Sequence, residues 1–195
     1  QLPGGYSDTV RVPHERYCVD IGTLDPARAA TYACAGITAF GAGDVTVYAS
    51  SVSGGTRGIG LATAKRLAKA GAAVVVCGRS AVDLPEGIHF MACDVRDPDA
   101  VNKMVADITA QFGGVDILVS NAGIASASPL EDTTLALWNR NQSILATGYF
   151  LVGREAFRLM KAQAVGGSMV FIASKNGMVA SNQATAYCAA KAAEI

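Results

Sequence analysis

The sequence predicts an α/β fold, a doubly wound, three-layer parallel sheet with helices on both faces. Three observations carry that expectation. From residue 45 onward, short apolar runs alternate with longer stretches of helical period, the pattern of successive strand-helix-strand units. The first run opens into a glycine-rich turn, Ser53-Gly54-Gly55-Thr56-Arg57-Gly58-Ile59-Gly60, where a strand would hand over to a helix. A chain of 195 residues, 51% of them hydrophobic, has the size and composition of one globular domain with an appendage.

Residues 45–52 are the candidate first strand, although Ser50 and Ser51 make it less apolar than a central parallel strand normally is. Residues 58–70 follow as a helix, with Ile59, Ala62, Leu67 and Ala70 on one side and Gly71 as its stop. Residues 73–77 and 88–93 read as buried strands, and the link between them, with Pro85 and Gly87, is too short for a full helix. Asp97-Pro98 starts the next helix with a capping carboxylate and a proline at the first helical position, and Gly113-Gly114 stops it. Residues 115–119 are strand four. A long helical stretch covers about 134–163 and ends at Gly166-Gly167. Residues 169–173 are strand five, which delivers Ser174 at the carboxyl end, where open parallel sheets place their ligands. The last helix covers 183–195.

Sixteen acidic residues balance sixteen basic ones, with no run of like charge, so no footprint for nucleic acid or an anionic membrane is present. No apolar stretch reaches membrane length, and the first residues lack the character of a signal peptide; the expected compartment is the cytoplasm. The five cysteines form no Cys-x-x-Cys pair and read as buried thiols, and with two histidines the expectation is no metal site. A small molecule is the expected partner.

The glycine turn, lying between a strand and an amphipathic helix, has the make-up of an anion site. Glycines let the backbone approach a pyrophosphate, and the helix amides and dipole face it. A dinucleotide is the natural occupant, which makes the fold Rossmann-like. Far downstream, Tyr187-Cys188-Ala189-Ala190-Lys191 places a phenol and an ammonium one helical turn apart on one face. A fixed cation beside a phenol favours the phenolate and brings the group toward work as a general acid or base near neutral pH. Ser174 adds a hydroxyl. Together they indicate proton movement at a carbonyl or alcohol.

Residues 45–195 resemble the short-chain dehydrogenase/reductase family. Gly54, Gly58 and Gly60 match its coenzyme-loop glycines, with Ser53 in place of the usual threonine and Thr56, Arg57 and Ile59 between them. Asp94-Val95 matches the element that contacts the adenine, Asn121-Ala122-Gly123 the Asn-Ala-Gly element after strand four, and Ser174, Tyr187 and Lys191 the catalytic set. The resemblance implies a homo-oligomeric oxidoreductase that moves a hydride between a nicotinamide coenzyme and a carbonyl or alcohol carbon. Tyr187 then gives or takes the proton, Ser174 hydrogen-bonds the reacting oxygen, and Tyr187 and Lys191 also meet the coenzyme. The carboxylate that the family often carries after strand two is replaced by Gly78, followed by Arg79. With Arg57, that arginine suits a 2′-phosphate, so the expected cofactor is NADP, with NAD as the alternative. A sugar-nucleotide epimerase would space its loop glycines differently.

Aligned on Trp138, Gly148 and Phe150, the asparagine that many members use in a proton relay falls at Leu145. Asn141, one turn earlier, reads as an exposed helical residue. Residues 114–195 look closer still to the dehydrogenase half of bifunctional aldolase/short-chain dehydrogenases associated with rhamnose catabolism, through Leu145-Ala146-Thr147-Gly148-Tyr149-Phe150-Leu151, Ser174-Lys175-Asn176 and Ala189-Ala190-Lys191-Ala192-Ala193-Glu194-Ile195. That branch implies a small hydroxyaldehyde or polyol as substrate. Residues 1–43 form an N-terminal extension. Its Gly4-Gly5-Tyr6-Ser7, Val12-Pro13, Leu24-Asp25-Pro26 and Cys34-Ala35-Gly36-Ile37-Thr38-Ala39-Phe40 resemble a zinc-dependent medium-chain alcohol dehydrogenase segment, without that family's remaining ligands. The dinucleotide-binding domain is then 44–195, and the resemblance implies that it is truncated at its C-terminus. A nucleotide-binding module without catalysis is the alternative function.

Overall fold

The computed structural model describes residues 49–164 and 166–195. The resemblance assigned to 1–43, Cys18, Cys34 and the first residues of the expected strand 45–52 lie outside these. Five parallel strands form one sheet in the order β3-β2-β1-β4-β5, where β1 is Ser50–Ser53, β2 Val74–Gly78, β3 Ile88–Ala92, β4 Ile117–Ser120 and β5 Ser168–Phe171. β1 sits in the middle, paired with β2 through Ser50↔Val74 and with β4 through Ser50↔Ile117. The chain moves outward on one side through β2 and β3, then crosses to β4 and β5 on the other. The strand order therefore reverses between β1 and β4, the place where doubly wound sheets leave a crevice at their carboxyl ends.

Helix α1, Gly58–Lys69, packs on β1 and β2. Helices α2, Pro98–Phe112, and α4, Gly148–Gln163, pack against each other. Alternation along β2 divides the side chains between the two faces of the sheet. Val75 and Cys77 join Val101, Met104 and Ile108 of α2 and Leu151, Val152 and Ala156 of α4 in one buried cluster. Val74 and Val76 point the other way and are equally buried. Fully burying a side chain such as Ile108 contributes about 1.5–3 kcal/mol.

Local signals place the helix ends. Asp97 accepts a hydrogen bond from the Asp99 amide at 2.9 Å ahead of Pro98, and Gly113 closes α2 in the left-handed conformation at φ 85°. At the end of α4 the left-handed residue is Ala164, φ 58°, ahead of the glycines expected to stop it. The stretch expected as one helix over 134–163 is three pieces in continuous helical sense: α3, Leu135–Asn141, a π-helical segment Gln142–Thr147, and α4. Helix α5, Thr185–Ala192, packs on α3, on the π segment and on a 3-10 turn, Lys175–Gly177, that follows β5. No helix among the described residues is long and apolar enough to cross a membrane.

Candidate active site

At the carboxyl end of β1 the chain turns left-handed at Gly54, φ +63°, and again at Gly58, φ +55°. A Cβ on Gly54 would lie 2.8 Å from the Ala122 Cα, and one on Gly60 would lie 2.5 Å from both the Asn121 amide nitrogen and the Gly54 carbonyl oxygen. Both positions thus face the chain leaving β4. A Cβ on Gly58 would meet nothing within 4 Å among the described residues. The loop is therefore packed on one side and open on the other.

Ser53 and Asn121 stitch the two strand ends together. The Ser53 hydroxyl oxygen accepts from the backbone amides of Asn121 at 2.9 Å and Ala122 at 3.0 Å. In return, Asn121 Nδ2 donates to the carbonyls of Ser53 at 3.0 Å and Gly54 at 3.2 Å. The Asn-Ala-Gly element and the glycine loop, distant in sequence, are one structural unit. Helix α1 begins at Gly58 with no side-chain cap from Arg57 and no acidic residue in its first turn. Its positive end is available to an anion. With Thr56 and Ile59 completing the turn, the open face at Gly58 fits a dinucleotide pyrophosphate.

At the outer end of this crevice, Gly78 closes β2, and a Cβ there would approach Thr56 Cγ2 to 3.1 Å. Arg57 and Arg79 are both exposed. Asp94 accepts from the Arg96 amide at 3.0 Å and from its guanidinium Nε at 2.9 and 3.1 Å. That bonding, with lesser help from the charge of Arg79, holds the Asp94 carboxyl at about 2. Val95 is buried against Gly148, where a Cβ would come within 2.8 Å of Val95 Cγ2.

Ser174 follows β5, and Lys191 on α5 reaches the same strand end through the Ile172 carbonyl. Ser174 Oγ accepts from the Asn176 amide at 3.2 Å and so begins the 3-10 turn. Gly177 lays that turn on α5, since a Cβ there would fall 2.6 Å from the Lys191 carbonyl oxygen. Tyr187, half-buried, lies one turn before Lys191 on α5. Lys191 is buried, and its ammonium donates to the Ile172 carbonyl at 2.9 Å and to both oxygens of Glu194 at 2.9 and 2.6 Å. The Glu194 side chain is fully buried. Burial pushes its carboxyl up, against the opposing pull of Lys191. Removing one partner of such a pair costs about 3–5 kcal/mol, because the other charge stays buried alone.

Asn141 departs from its expected role. It is fully buried, with Oδ1 accepting from the Ser126 hydroxyl at 3.0 Å and Nδ2 donating to the Leu137 carbonyl at 2.9 Å. The reason is the π segment that begins at the next residue. Its wider turn carries Asn141 and Leu145 inward together, and Leu145 is likewise fully buried, with Cδ2 3.1 Å from where a Gly123 Cβ would stand.

Glu194 and Tyr149 were not among the expected site residues. Tyr149 packs its ring 4.5 Å from that of Phe171, its buried hydroxyl has no hydrogen-bond partner among the described residues, and burial, then the Glu194 charge, raises its pKa. The spacing of Glu194 from Lys191, i to i+3 on a helix, was a legible pairing signal.

The sequence model of the family described as short chain dehydrogenase matches residues 49–195. The chain is 40% identical over 159 residues to the uncharacterized oxidoreductase YuxG of Bacillus subtilis (strain 168), covering 73% of this chain and 22% of that protein. It is 34% identical to the NADP-dependent (R)-specific alcohol dehydrogenase of Lentilactobacillus kefiri, covering 73% and 60%. Among solved structures, a short-chain type dehydrogenase/reductase from Mycobacterium marinum superposes with a TM-score of 0.71 at 34% identity, covering 74% of this chain and 64% of the other. The chain spans 22% to 60% of the length of the first curated relatives it matches. A parallel sheet with its glycine loop locked to an Asn-Ala-Gly element, a family model over three quarters of the sequence and matching structures lead to one conclusion: the chain belongs to the short-chain dehydrogenase/reductase family of oxidoreductases.

Proposed function

We propose that residues 44–195 are the coenzyme-binding and proton-transfer part of an oxidoreductase that moves a hydride between NADP(H) and a carbonyl or secondary alcohol. The observation that carries this reading is the glycine loop tied to Asn121 at the end of β4, together with Ser174 at the end of the neighbouring strand β5 opening a turn that packs on α5, the helix of Tyr187 and Lys191. The nicotinamide, when bound, supplies or accepts the hydride. Gly54, Gly58, Gly60 and the start of α1 hold the pyrophosphate, while Asp94 and Val95 border the adenine. Asn121, Ala122 and Gly123 keep the loop in place. Ser174 hydrogen-bonds the reacting oxygen, and Tyr187 transfers its proton. Lys191, one helical turn from Tyr187 on α5, would reach the ribose hydroxyls of the bound coenzyme.

NADP is preferred to NAD because β2 ends in Gly78 rather than a carboxylate and two exposed arginines, Arg57 and Arg79, lie in the adjoining turns. A guanidinium fork suits a phosphate dianion. The name of the Lentilactobacillus relative supports the same choice. Replacing both arginines by alanine should weaken NADPH binding at least tenfold, the effect of about one charge-assisted hydrogen bond, and leave NADH binding nearly unchanged. Equal losses for both coenzymes would reject the phosphate role.

A homo-oligomer is supported by α4, which exposes Phe150 and Phe157, with Arg154 stacked over the Phe150 ring at 5.3 Å. A second reading, a nucleotide-binding module without catalysis, is favoured by the commitment of the Lys191 ammonium to Glu194. Binding of coenzyme with no turnover of any carbonyl in a broad panel would select it.

A further inference from the structure

A lysine ammonium has three N–H donors and no acceptor. In Lys191 the three are matched by three protein acceptors, the Ile172 carbonyl and the two carboxylate oxygens of Glu194. The Glu194 side chain is fully buried, so no water competes for its oxygens. A coenzyme ribose can therefore engage Lys191 only by taking a donor away from Glu194. Ile172 is a fixed backbone acceptor at the end of β5, whereas the carboxylate lies on a side chain that can turn.

We propose that Glu194 is a latch on Lys191: its carboxylate holds the ammonium bidentately and competes with the coenzyme for it, which sets coenzyme affinity. This rests on the oxidoreductase reading above, in which Lys191 meets the nicotinamide ribose. The buried Tyr149 hydroxyl, which has no hydrogen-bond partner among the described residues, lies within electrostatic reach of Glu194, so the carboxylate has a polar neighbour besides Lys191. Glu194 is a positioning residue, acting on coenzyme and substrate only through Lys191.

The test is the dissociation constant of NADPH, read by its fluorescence, for the unaltered protein and for Glu194→Gln. The amide keeps the volume and one acceptor oxygen but gives up the charge and the second acceptor, so one Lys191 donor is freed. The latch predicts tighter binding, by about tenfold, the effect of one uncontested charge-assisted hydrogen bond. A residue that merely supports the fold would give the opposite sign. In a Lys191→Met background the same change should leave the dissociation constant unmoved. If Glu194→Gln fails to fold, Glu194→Asp, which draws the carboxyl back by one methylene, should give a smaller gain in the same direction. Unchanged or weaker NADPH binding in folded variants overturns the latch while leaving the coenzyme reading standing. No binding of NADPH or NADH by the unaltered protein overturns both.

Discussion

Gly54 and Gly58 share a left-handed backbone and differ in their surroundings, and that difference separates folding from binding. Alanine at either position carries the left-handed penalty of roughly 1–2 kcal/mol. At Gly54 the new methyl also runs into the Ala122 backbone, 2.8 Å away, whereas at Gly58 it meets nothing. Gly54→Ala should therefore lower unfolding stability by about 2–4 kcal/mol, the range of a strained and overpacked site. Gly58→Ala should cost about 1–2 kcal/mol yet weaken coenzyme binding, because its methyl projects into the open face; denaturant melts and NADPH titrations of the two variants check this. Asp94 makes a second prediction at this scale. Its carboxyl is held at about 2, below the ordinary value of 3.8, chiefly by the Arg96 hydrogen bonds. A depressed carboxylate contributes stability that is fully present above the ordinary value and is lost as pH falls through the folded one. Between pH 3.8 and about 2 the unaltered protein should lose stability that Asp94→Asn, lacking the titrating group, does not lose over the same window.

At the scale of elements, β1 carries the sheet with an unusual sequence. Ser50 and Ser51 are buried in the central strand, and among the described residues neither hydroxyl has a hydrogen-bond partner. Their backbone ladder to β2 and β4 holds the strand regardless. Desolvating an unpaired hydroxyl costs about 1–3 kcal/mol, so Ser51→Ala should raise stability by about 1 kcal/mol, seen as a higher denaturation midpoint at unchanged slope. The central place of this strand was legible from the glycine turn that follows it, not from its own polarity. Helix α2 was legible at both ends, since Asp97-Pro98 and Gly113 act through local geometry that sequence encodes directly. The π segment was not. One extra residue per turn barely disturbs an apolar period over 134–163, yet it turns Asn141 into the interior, where Ser126 and Leu137 bond its amide. Asn141 looked exposed because a polar helical side chain reads so until a buried partner is known, and the Ser126 hydroxyl it accepts from lies fifteen residues away.

For the whole molecule, the family and the crevice were readable because each motif lies at a strand end and the motifs occur in the order of a doubly wound sheet. Ser53, the loop glycines and Asn121 occupy the point where the strand order reverses, and Ser174 lies beyond β5 beside α5. What sequence left open was which partner each charge would take. The resemblance assigns Lys191 to Tyr187 and a ribose, while in the fold its ammonium is bound by Glu194, at a helical spacing the sequence shows and in a burial it does not. The central claim is that this crevice joins a coenzyme site to a proton-transferring tyrosine. Its most direct test is NADPH consumption with a panel of small aldehydes and ketones by the unaltered protein and by Tyr187→Phe, with NADPH binding measured on both. The account predicts that the phenylalanine variant binds NADPH within about twofold of the unaltered protein and turns over at least ~100-fold more slowly, the size of a lost general acid. Turnover that survives the loss of the hydroxyl would contradict it.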